Sequence, residues 1–450
     1  MATPPKPFPL FDTFKRFQTL NHLNLSAELP AVRDYLNAFP SELRAVEGYQ
    51  VVRSFLKSYQ GNETTFVSYR THSERLLLWA LLIRKKPILD LRRVDAEAFM
   101  EFCLNPPPSW VGPVVKSRFN RIGGRKAKDS DTYEVNAAWR PFNFPPVKGA
   151  STEGDEGALE RKYKPSQGTT AQIFAVCGSF FEHAIDEGYC ESNPIRAIKQ
   201  KSNFKQRYVK DDDARTLTPL QWDYVIETAV MMADQHKPAP GVASEAMDDE
   251  SRKLWVYHER NLFIIATLFS MYLRISDLVG RPGWEPSMGD FRLDPRGYWF
   301  FHVVGKGNKA AKISVRNDYM TTYMARYRAH LGLSPMPAPG ETRPLLYALH
   351  GRAGLSDRQV RLLVQGVFDR ALERMKEDHW IEAEVSKLRE ASLHWLRHTS
   401  ATFDAPLRDM KDLQADLRHE SMQTTQDVYY NSLDDQRAQS VMNLPVRRDE

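Results

Sequence analysis

The chain has 450 residues, of which 42% are hydrophobic and 26% are charged. This length exceeds what a single hydrophobic core usually serves, so the sequence predicts two globular domains. The longest apolar stretch, residues 262–273, is too short and interrupted to span a bilayer, and no transmembrane helix is expected. The N-terminus lacks the apolar core of a secretory signal, which predicts a cytoplasmic protein. A net charge of +5 permits nucleic-acid binding without requiring it.

The three cysteines, Cys103, Cys177 and Cys190, form an odd set without metal-type spacing. Two of them lie in segments with apolar periodicity. We therefore interpret them as reduced core thiols rather than as a disulfide or a zinc site.

Basic residues cluster in two segments with little apolar periodicity. Such segments can lie along phosphates, each contact adding salt-sensitive affinity. A solvated charged loop explains either cluster equally well on charge alone. The candidate DNA-binding residues are Lys116, Arg118, Arg121, Arg125, Lys199, Lys201, Lys205 and Arg207.

The first half of the chain is predicted to be helical. Residues 1–48 form an N-terminal arm with a Pro-rich start and one short helical pattern. Apolar spacing predicts one helix from Thr65 to Pro87, a second after Asp95 and a third through residues 173–185. We assign residues 49–210 to a helical domain. Pro, Gly and charge mark an insertion at about 106–166, and a basic linker covers about 199–213.

A capping-box pattern with proline at the first helical position, Thr218-Pro219-Leu220-Gln221, begins the second domain, residues 214–450. Residues 262–273 predict a buried helix. Residues 297–315 carry aromatic and β-branched side chains on both sides of a Gly-Lys-Gly-Asn turn, which indicates a β-hairpin. Helical patterns return from Ser356, and residues 431–450 form a C-terminal tail. The second domain is therefore predicted to be mostly α with a small sheet.

Four ordered motifs lie in this domain: YLRISDL at 272–278, GKGNK at 305–309, HWLRHTSAT at 394–402 and LRHESMQTTQ at 417–426. Together they resemble the motifs of tyrosine recombinases, the phage integrase family. The resemblance implies a helical core-binding (SAM-like) domain followed by an α-rich catalytic domain with a small antiparallel β-sheet. It also implies that DNA strands are cut and rejoined through a 3′-phosphotyrosine without a metal or other cofactor. The implied partners are double-stranded recombination sites, a homotetramer on two sites, and an accessory DNA-binding protein as a further candidate.

The chemistry of the residues agrees with this resemblance. In-line attack on a phosphodiester builds charge on the non-bridging oxygens, which rigid bidentate guanidinium groups such as Arg274 and Arg397 fit well. His394 lies one helical turn before Arg397, so it could accept the tyrosine proton on the same face. Asp277 is predicted to support an active-site arginine or histidine. His394 and His398 also have zinc-like spacing, but no third ligand is evident.

The resemblance assigns the remaining roles. Lys306 would protonate the leaving 5′ hydroxyl, with Lys309 and then Lys312 as weaker candidates. His419 would donate a hydrogen bond to the scissile phosphate. The chain has Leu-Arg-His where the family often has Leu-Gly-His, so Arg418 is a candidate additional phosphate contact.

The register leaves two candidates for the nucleophile. In many relatives it follows the second histidine by nine residues, but that position is Val428. One inserted residue nominates Tyr429, which we prefer, and two nominate Tyr430. The alternatives to a recombinase are a type IB topoisomerase and a DNA-binding relative without activity. Chain length and the insertion favour a recombinase of a mobile element, which acts in integration, excision or resolution.

Overall fold

The computed structural model describes residues 6–19, 30–59, 61–122, 133–144, 163, 165–204, 215–238, 247–305, 309–426 and 441–442. The chain divides into two compact units, Met1–Val209 and Lys210–Glu450. Within the described ranges no helix has the length and apolar character needed to cross a membrane.

The first unit is mainly helical. Asn62 caps the longest predicted helix by accepting from the Thr65 N–H at 3.0 Å, and Ser166 caps another by accepting from Thr169 at 3.1 Å. Its described helices are α1 (Phe14–Thr19), α2 (Pro30–Asn37), α3 (Ala45–Lys57), α4 (Glu63–Trp79, continued by a π-helical turn at Ala80–Arg84), α5 (Arg93–Leu104) and α6 (Gln167–Asp186).

The described part of the predicted insertion contains four short strands: β1 (Val111–Gly112), β2 (Phe119–Arg121), β3 (Tyr133–Val135) and β4 (Phe142–Asn143). Strands β1 and β4 pair in parallel, and β2 and β3 pair antiparallel. Trp110, Phe142 and Trp139 are buried in the same core as helices α3 to α6. Aromatic burial therefore attaches this segment to the helical unit.

The predicted N-terminal arm also contributes to that core. Leu10, Phe11 and Phe17 are each 1% exposed, and the Phe11 ring stacks on Tyr49 with centroids 4.9 Å apart. Val32 and Leu36 bury the apolar face of α2. The described part of residues 1–48 thus packs with the helices that follow it.

The second unit contains helices α7 (Pro219–Gln235), α8 (Asp249–Ser270), α9 (Ile275–Val279), α10 (Ala325–His330), α11 (Asp357–Glu377), α12 (Glu382–Glu390), α13 (Leu393–Asp404) and α14 (Met410–Leu417), with a π-helical segment at Tyr319–Met324 before α10. The predicted capping box at Thr218 is present, since Thr218 and Gln221 exchange backbone-to-side-chain hydrogen bonds of 3.2 and 2.9 Å.

A three-stranded antiparallel sheet accompanies these helices. Its strands are β5 (Phe291–Leu293), β6 (Trp299–Val304) and β7 (Ala310–Ser314), in the order β5-β6-β7. The predicted hairpin is β6–β7, with Phe300 opposite Ser314 and Val304 opposite Ala310. Helix α8, buried from residue 258 to its end, packs against α7 and α13 and forms the centre of the core. The predicted fold class, mostly α with a small antiparallel sheet, is confirmed.

Candidate active site

Helix α9 fixes the backbone of Arg274. The Asp277 carboxylate accepts from the Arg274 N–H at 2.9 Å and caps the helix, while the Asp277 N–H donates to the Arg274 carbonyl at 2.8 Å. This reciprocal pair satisfies donors that a short helix would otherwise leave free. The Arg274 side chain remains partly exposed.

Asp277 is a fully buried carboxylate at 0% exposure, and two guanidinium groups neutralise it. Arg281 donates to Oδ1 at 2.9 Å. Arg418, from the far end of the unit, binds both carboxylate oxygens, with Nη1 at 3.2 Å from Oδ1 and Nη2 bonded to Oδ2. The bidentate geometry is the arrangement that arginine favours with carboxylates.

Helix α13 carries His394 and Arg397 one turn apart. Part of His394 is exposed to solvent and the rest is covered, whereas Arg397 is 4% exposed. The Arg397 guanidinium donates to the backbone carbonyls of Tyr272 and Leu417. Tyr272 has a φ of +51°, a left-handed conformation uncommon for an aromatic residue. This conformation lies two residues before Arg274, so backbone strain accompanies the first motif.

The end of α14 places His419, the second candidate histidine, close to Arg274 and Arg397. Arg418 terminates the helix with a φ of +52°, and its carbonyl accepts from Arg274 Nη2 at 3.4 Å. Two consecutive carbonyls, those of Leu417 and Arg418, therefore bind the two predicted phosphate-binding arginines. His419 follows directly, with its Nδ1 at 3.0 Å from the hydroxyl of the buried Thr425.

The electrostatics of these groups show that they lie close together. Burial, with the neighbouring guanidinium groups of Arg274 and Arg418, lowers the pKa of Arg397 to about 9. Burial and the charge of Arg418 also lower the pKa of Arg274. Asp277 compensates the charge of Arg418, whereas the side chains of Arg274 and Arg397 bond neutral backbone carbonyls, so their positive charge favours an anion at this place.

The pKa values of the two candidate histidines lie below the ordinary histidine value, which favours the neutral imidazole. Burial, followed by the charges of Arg397 and Arg274, lowers the pKa of His419 to about 4. The same causes, in the same order, lower the pKa of His394 below its ordinary value. A neutral imidazole at His394 can accept a proton, as the predicted role requires. His398 contacts the His394 ring edge-on, with centroids 4.6 Å apart.

The β6–β7 turn begins beside this cluster. A Cβ atom built on Gly305 would lie 4.0 Å from Nη1 of Arg418, and the Gly305 N–H donates to the Lys309 carbonyl at 2.7 Å. Lys306, Tyr429 and Tyr430 lie outside the described residues. The fallback Lys309 is exposed, and Lys312 places its ammonium 4.5 Å from the centroid of the Phe300 ring.

A polar network joins the sheet to α14. The Ser314 N–H at the end of β7 donates to Asp416 at 2.9 Å, and Arg408 donates to the same carboxylate at 2.7 Å. Arg408 also donates to the Tyr272 hydroxyl at 3.0 Å. The hairpin, the first motif and the helix before His419 are thus held by shared hydrogen bonds.

The predicted DNA-binding residues of the first unit differ in their surroundings. Lys116 and Lys199 are exposed, and Lys201 lies 5.6 Å from the centroid of the Phe174 ring. Arg118, with a side chain 11% exposed, is bonded to the buried Glu74. The side chain of Arg121 and the whole of Arg125, Lys205 and Arg207 lie outside the described residues.

Sequence reasoning missed several neighbours of the site. Arg281 follows Asp277 by four residues, and this helical spacing could have identified the pair. The exposed Arg215 and Arg361 lower the pKa of His394, after the effects of burial, Arg397 and Arg274. Neither belongs to a motif, so only the folded chain reveals that they are near.

The chain, including the second unit with its sheet and these residues, has the tyrosine-recombinase fold. The solved structure that carries this conclusion is XerH site-specific recombinase bound to a palindromic difH substrate after cleavage. XerH has a TM-score of 0.52 and 14% identity, over 96% of this chain and 92% of that one. No protein-family model and no curated protein sequence matches the chain.

Two further solved structures are similar at lower scores. A lambda integrase dimer bound to a COC′ core site has a TM-score of 0.43 and 13% identity, over 89% of this chain and 79% of that one. A variant of the Tn1549 transposon integrase in complex with circular-intermediate DNA has a TM-score of 0.44 and 14% identity, over 87% and 98%.

Proposed function

We propose that the protein is a tyrosine-type site-specific DNA recombinase that acts through a 3′-phosphotyrosine. The observation that carries the proposal is the meeting of Arg274, Arg397 and His419, from three separate parts of the second unit, around the carbonyls of residues 417 and 418. His394 joins them on α13. The tyrosine-recombinase fold supports the same interpretation, because XerH is a site-specific recombinase crystallised with DNA after cleavage.

In the proposed first step, Arg274 and Arg397 bind the non-bridging oxygens of the scissile phosphate. Tyr429, with Tyr430 as the alternative, attacks phosphorus while neutral His394 accepts the phenolic proton. The bond from phosphorus to the 5′ oxygen breaks, and Lys306 protonates that oxygen. His419 donates a hydrogen bond to the phosphate, and Thr425 holds its ring by the contact with Nδ1.

In the second step, a 5′ hydroxyl from a partner strand attacks the phosphotyrosine and releases the tyrosine. Each step exchanges one phosphoester for another, so the bond energy is retained and no ATP is consumed. Guanidinium groups supply the charge stabilisation in this scheme. We propose double-stranded recombination sites of a mobile element in the cytoplasm as the substrate. The proposed assembly is a homotetramer on two sites, in which the tail 431–450 exchanges contacts between protomers.

The decisive experiment replaces each tyrosine in turn. A pool of nicked duplexes with randomised sequence would trap the covalent protein–DNA adduct, because the short fragment beyond the nick diffuses away. We expect Tyr429→Phe to abolish the adduct and Tyr430→Phe, its matched control, to retain it. The reverse pattern would assign the nucleophile to Tyr430.

The same assay separates the proposed function from its alternatives. Absence of an adduct from the unmodified chain across the pool would contradict catalysis and leave a DNA-binding protein. An adduct accompanied by relaxation of supercoiled plasmid, without exchange between two sites, would identify a topoisomerase. Strand exchange between two captured sites is the result expected for a recombinase.

A further inference from the structure

We propose that Arg418 is a positioning residue, which aligns Arg274 and the His419 segment through its bond to Asp277. This inference rests on the proposed function and concerns a position where the chain departs from the Leu-Gly-His pattern. Arg418 bonds Asp277 through both terminal nitrogens across 141 residues of sequence. It therefore connects the segment of the second histidine to the segment of the first arginine.

The backbone at Arg418 explains why a glycine suits this position. Its φ of +52° is left-handed, a conformation that glycine adopts freely and that an arginine adopts only when its surroundings compensate. The compensation here is the bidentate bond to a carboxylate that is 0% exposed. The side chain thus adds a long-range connection that a glycine cannot provide.

The contacts around Arg418 form a closed ring. The Arg418 guanidinium binds the Asp277 carboxylate, that carboxylate accepts from the Arg274 N–H at 2.9 Å, and the Arg274 side chain donates to the Arg418 carbonyl at 3.4 Å. Movement of any member changes the position of Arg274. The neighbouring carbonyl of Leu417 binds Arg397, so the same turn also orients the second arginine.

The charge of its partner argues against the alternative, in which Arg418 itself contacts a phosphate. Both terminal nitrogens of Arg418 bond the Asp277 carboxylate, whereas those of Arg397 bond neutral backbone carbonyls, so a phosphate contact by Arg418 would have to displace an anion. Removing it from Asp277 would leave a fully buried carboxylate with one guanidinium partner fewer, which is costly. The structure therefore favours action through Asp277 and Arg274.

The test compares Arg418→Gln with Arg418→Lys and Arg418→Gly. For each variant, the salt dependence of binding to a random duplex is measured beside the single-turnover rate of adduct formation at saturating DNA. A lost phosphate contact reduces the slope of log affinity against log salt by about one, whereas a positioning role leaves it unchanged. We expect Arg418→Gln to keep the slope and to form adduct about 10–100-fold more slowly, as for other residues that orient a reactive group.

The other two variants separate the effects of side-chain charge, guanidinium geometry and backbone conformation at residue 418. Lysine keeps the charge without the planar fork, and we expect it to recover only part of the rate. Glycine relieves the left-handed backbone and lacks the guanidinium, so we expect a slow adduct from a folded protein. A full rate in Arg418→Gly would overturn the proposal, because the backbone conformation alone would then suffice.

A double variant tests the path of action. If Arg418 acts through Asp277, Arg418→Gln combined with Asp277→Asn should be about as slow as the slower single variant. Independent, multiplied losses would overturn the proposal, as would an undiminished rate or a reduced salt slope in Arg418→Gln. No adduct from the unmodified chain would instead defeat the proposed function, and the positioning role with it. Thermal unfolding of every variant distinguishes slow chemistry from loss of folded protein.

Discussion

Two buried carboxylates, Glu74 in the first unit and Asp277 in the second, are stabilised in the same way. Glu74 is 2% exposed and Asp277 is 0% exposed. Glu74 accepts from two backbone N–H groups and Asp277 from one, and each binds an arginine brought from a distant part of its unit. Such groups are tolerated in a core only when paired and hydrogen-bonded.

The partners of the two carboxylates differ. Glu74 accepts from the N–H groups of Leu10 and Phe11 at 2.7 and 3.2 Å, and its partner Arg118 donates to the Phe11 carbonyl at 2.8 Å. These bonds attach the N-terminal segment and the insertion to α4. Asp277 instead holds the residues beside Arg274 and His419. A buried ion pair is therefore a candidate functional contact only when its partners adjoin candidate site residues, as those of Asp277 do.

The largest effect is expected on stability in the first unit. Glu74→Gln leaves Arg118 without its anion, and we expect the free energy of unfolding to fall by about 3 kcal/mol. Urea denaturation measures this loss. The matched control is Glu97→Gln, whose partner Arg93 is exposed, with an expected loss of at most about 0.5 kcal/mol.

If Glu74 has only a structural role, Glu74→Gln should leave the reaction with DNA unchanged. The rate of adduct formation, normalised to folded protein, should equal that of the unmodified chain. A rate that falls further than the folded fraction would show that Glu74 affects the reaction, and the contrast between the two carboxylates would fail.

A smaller effect, seen mainly in the rate of adduct formation rather than in stability, is expected for Asp277→Asn. An amide there still accepts from the Arg274 N–H but no longer neutralises Arg418 and Arg281, so the free energy of unfolding should also fall, and adduct formation normalised to folded protein should slow by about 10–100-fold. This corresponds to about 1.4–2.7 kcal/mol in the barrier. Asp249→Asn, at a side chain 85% exposed, is the control and should react at the normal rate. A normal rate in Asp277→Asn would remove Asp277 from the site.

Local spacing is what made much of the site predictable. Asp277 lies three residues after Arg274 and Arg397 three after His394, and both pairs sit on single helical turns as expected. The hairpin could also be predicted, because its period-two pattern flanks a glycine turn. The third strand, β5, was not predicted, since Phe291–Leu293 is too short to show a period.

Long-range contacts account for what the sequence did not predict. The pairing of Arg418 with Asp277 spans 141 residues, and no periodicity carries that information. The left-handed conformations of Tyr272 and Arg418 were equally hidden, because neither residue type signals a positive φ. The same holds for the predicted arm and insertion, whose aromatic residues join the core through contacts with distant helices.

The smallest effect concerns pH and tests whether the charges around the site act as described. Burial and the cations near His394 lower its pKa, so the neutral, proton-accepting form persists below the ordinary histidine value of about 6.5. The second-order rate of adduct formation at low DNA reports the free protein. As pH falls, that rate should decline with a midpoint below 6.5, because protonation removes the acceptor.

Arg361→Gln sharpens this last prediction. Arg361 is one of the cations that lower the pKa of His394, so its loss should raise that pKa and move the decline of the rate to higher pH. The direction of the shift is the informative result. A substitution with only a structural effect would lower the maximum rate of adduct formation without changing the pH at which that rate declines. A decline at the same pH would show that His394 is not the group that titrates, and would transfer the proton-accepting role to another residue of the site.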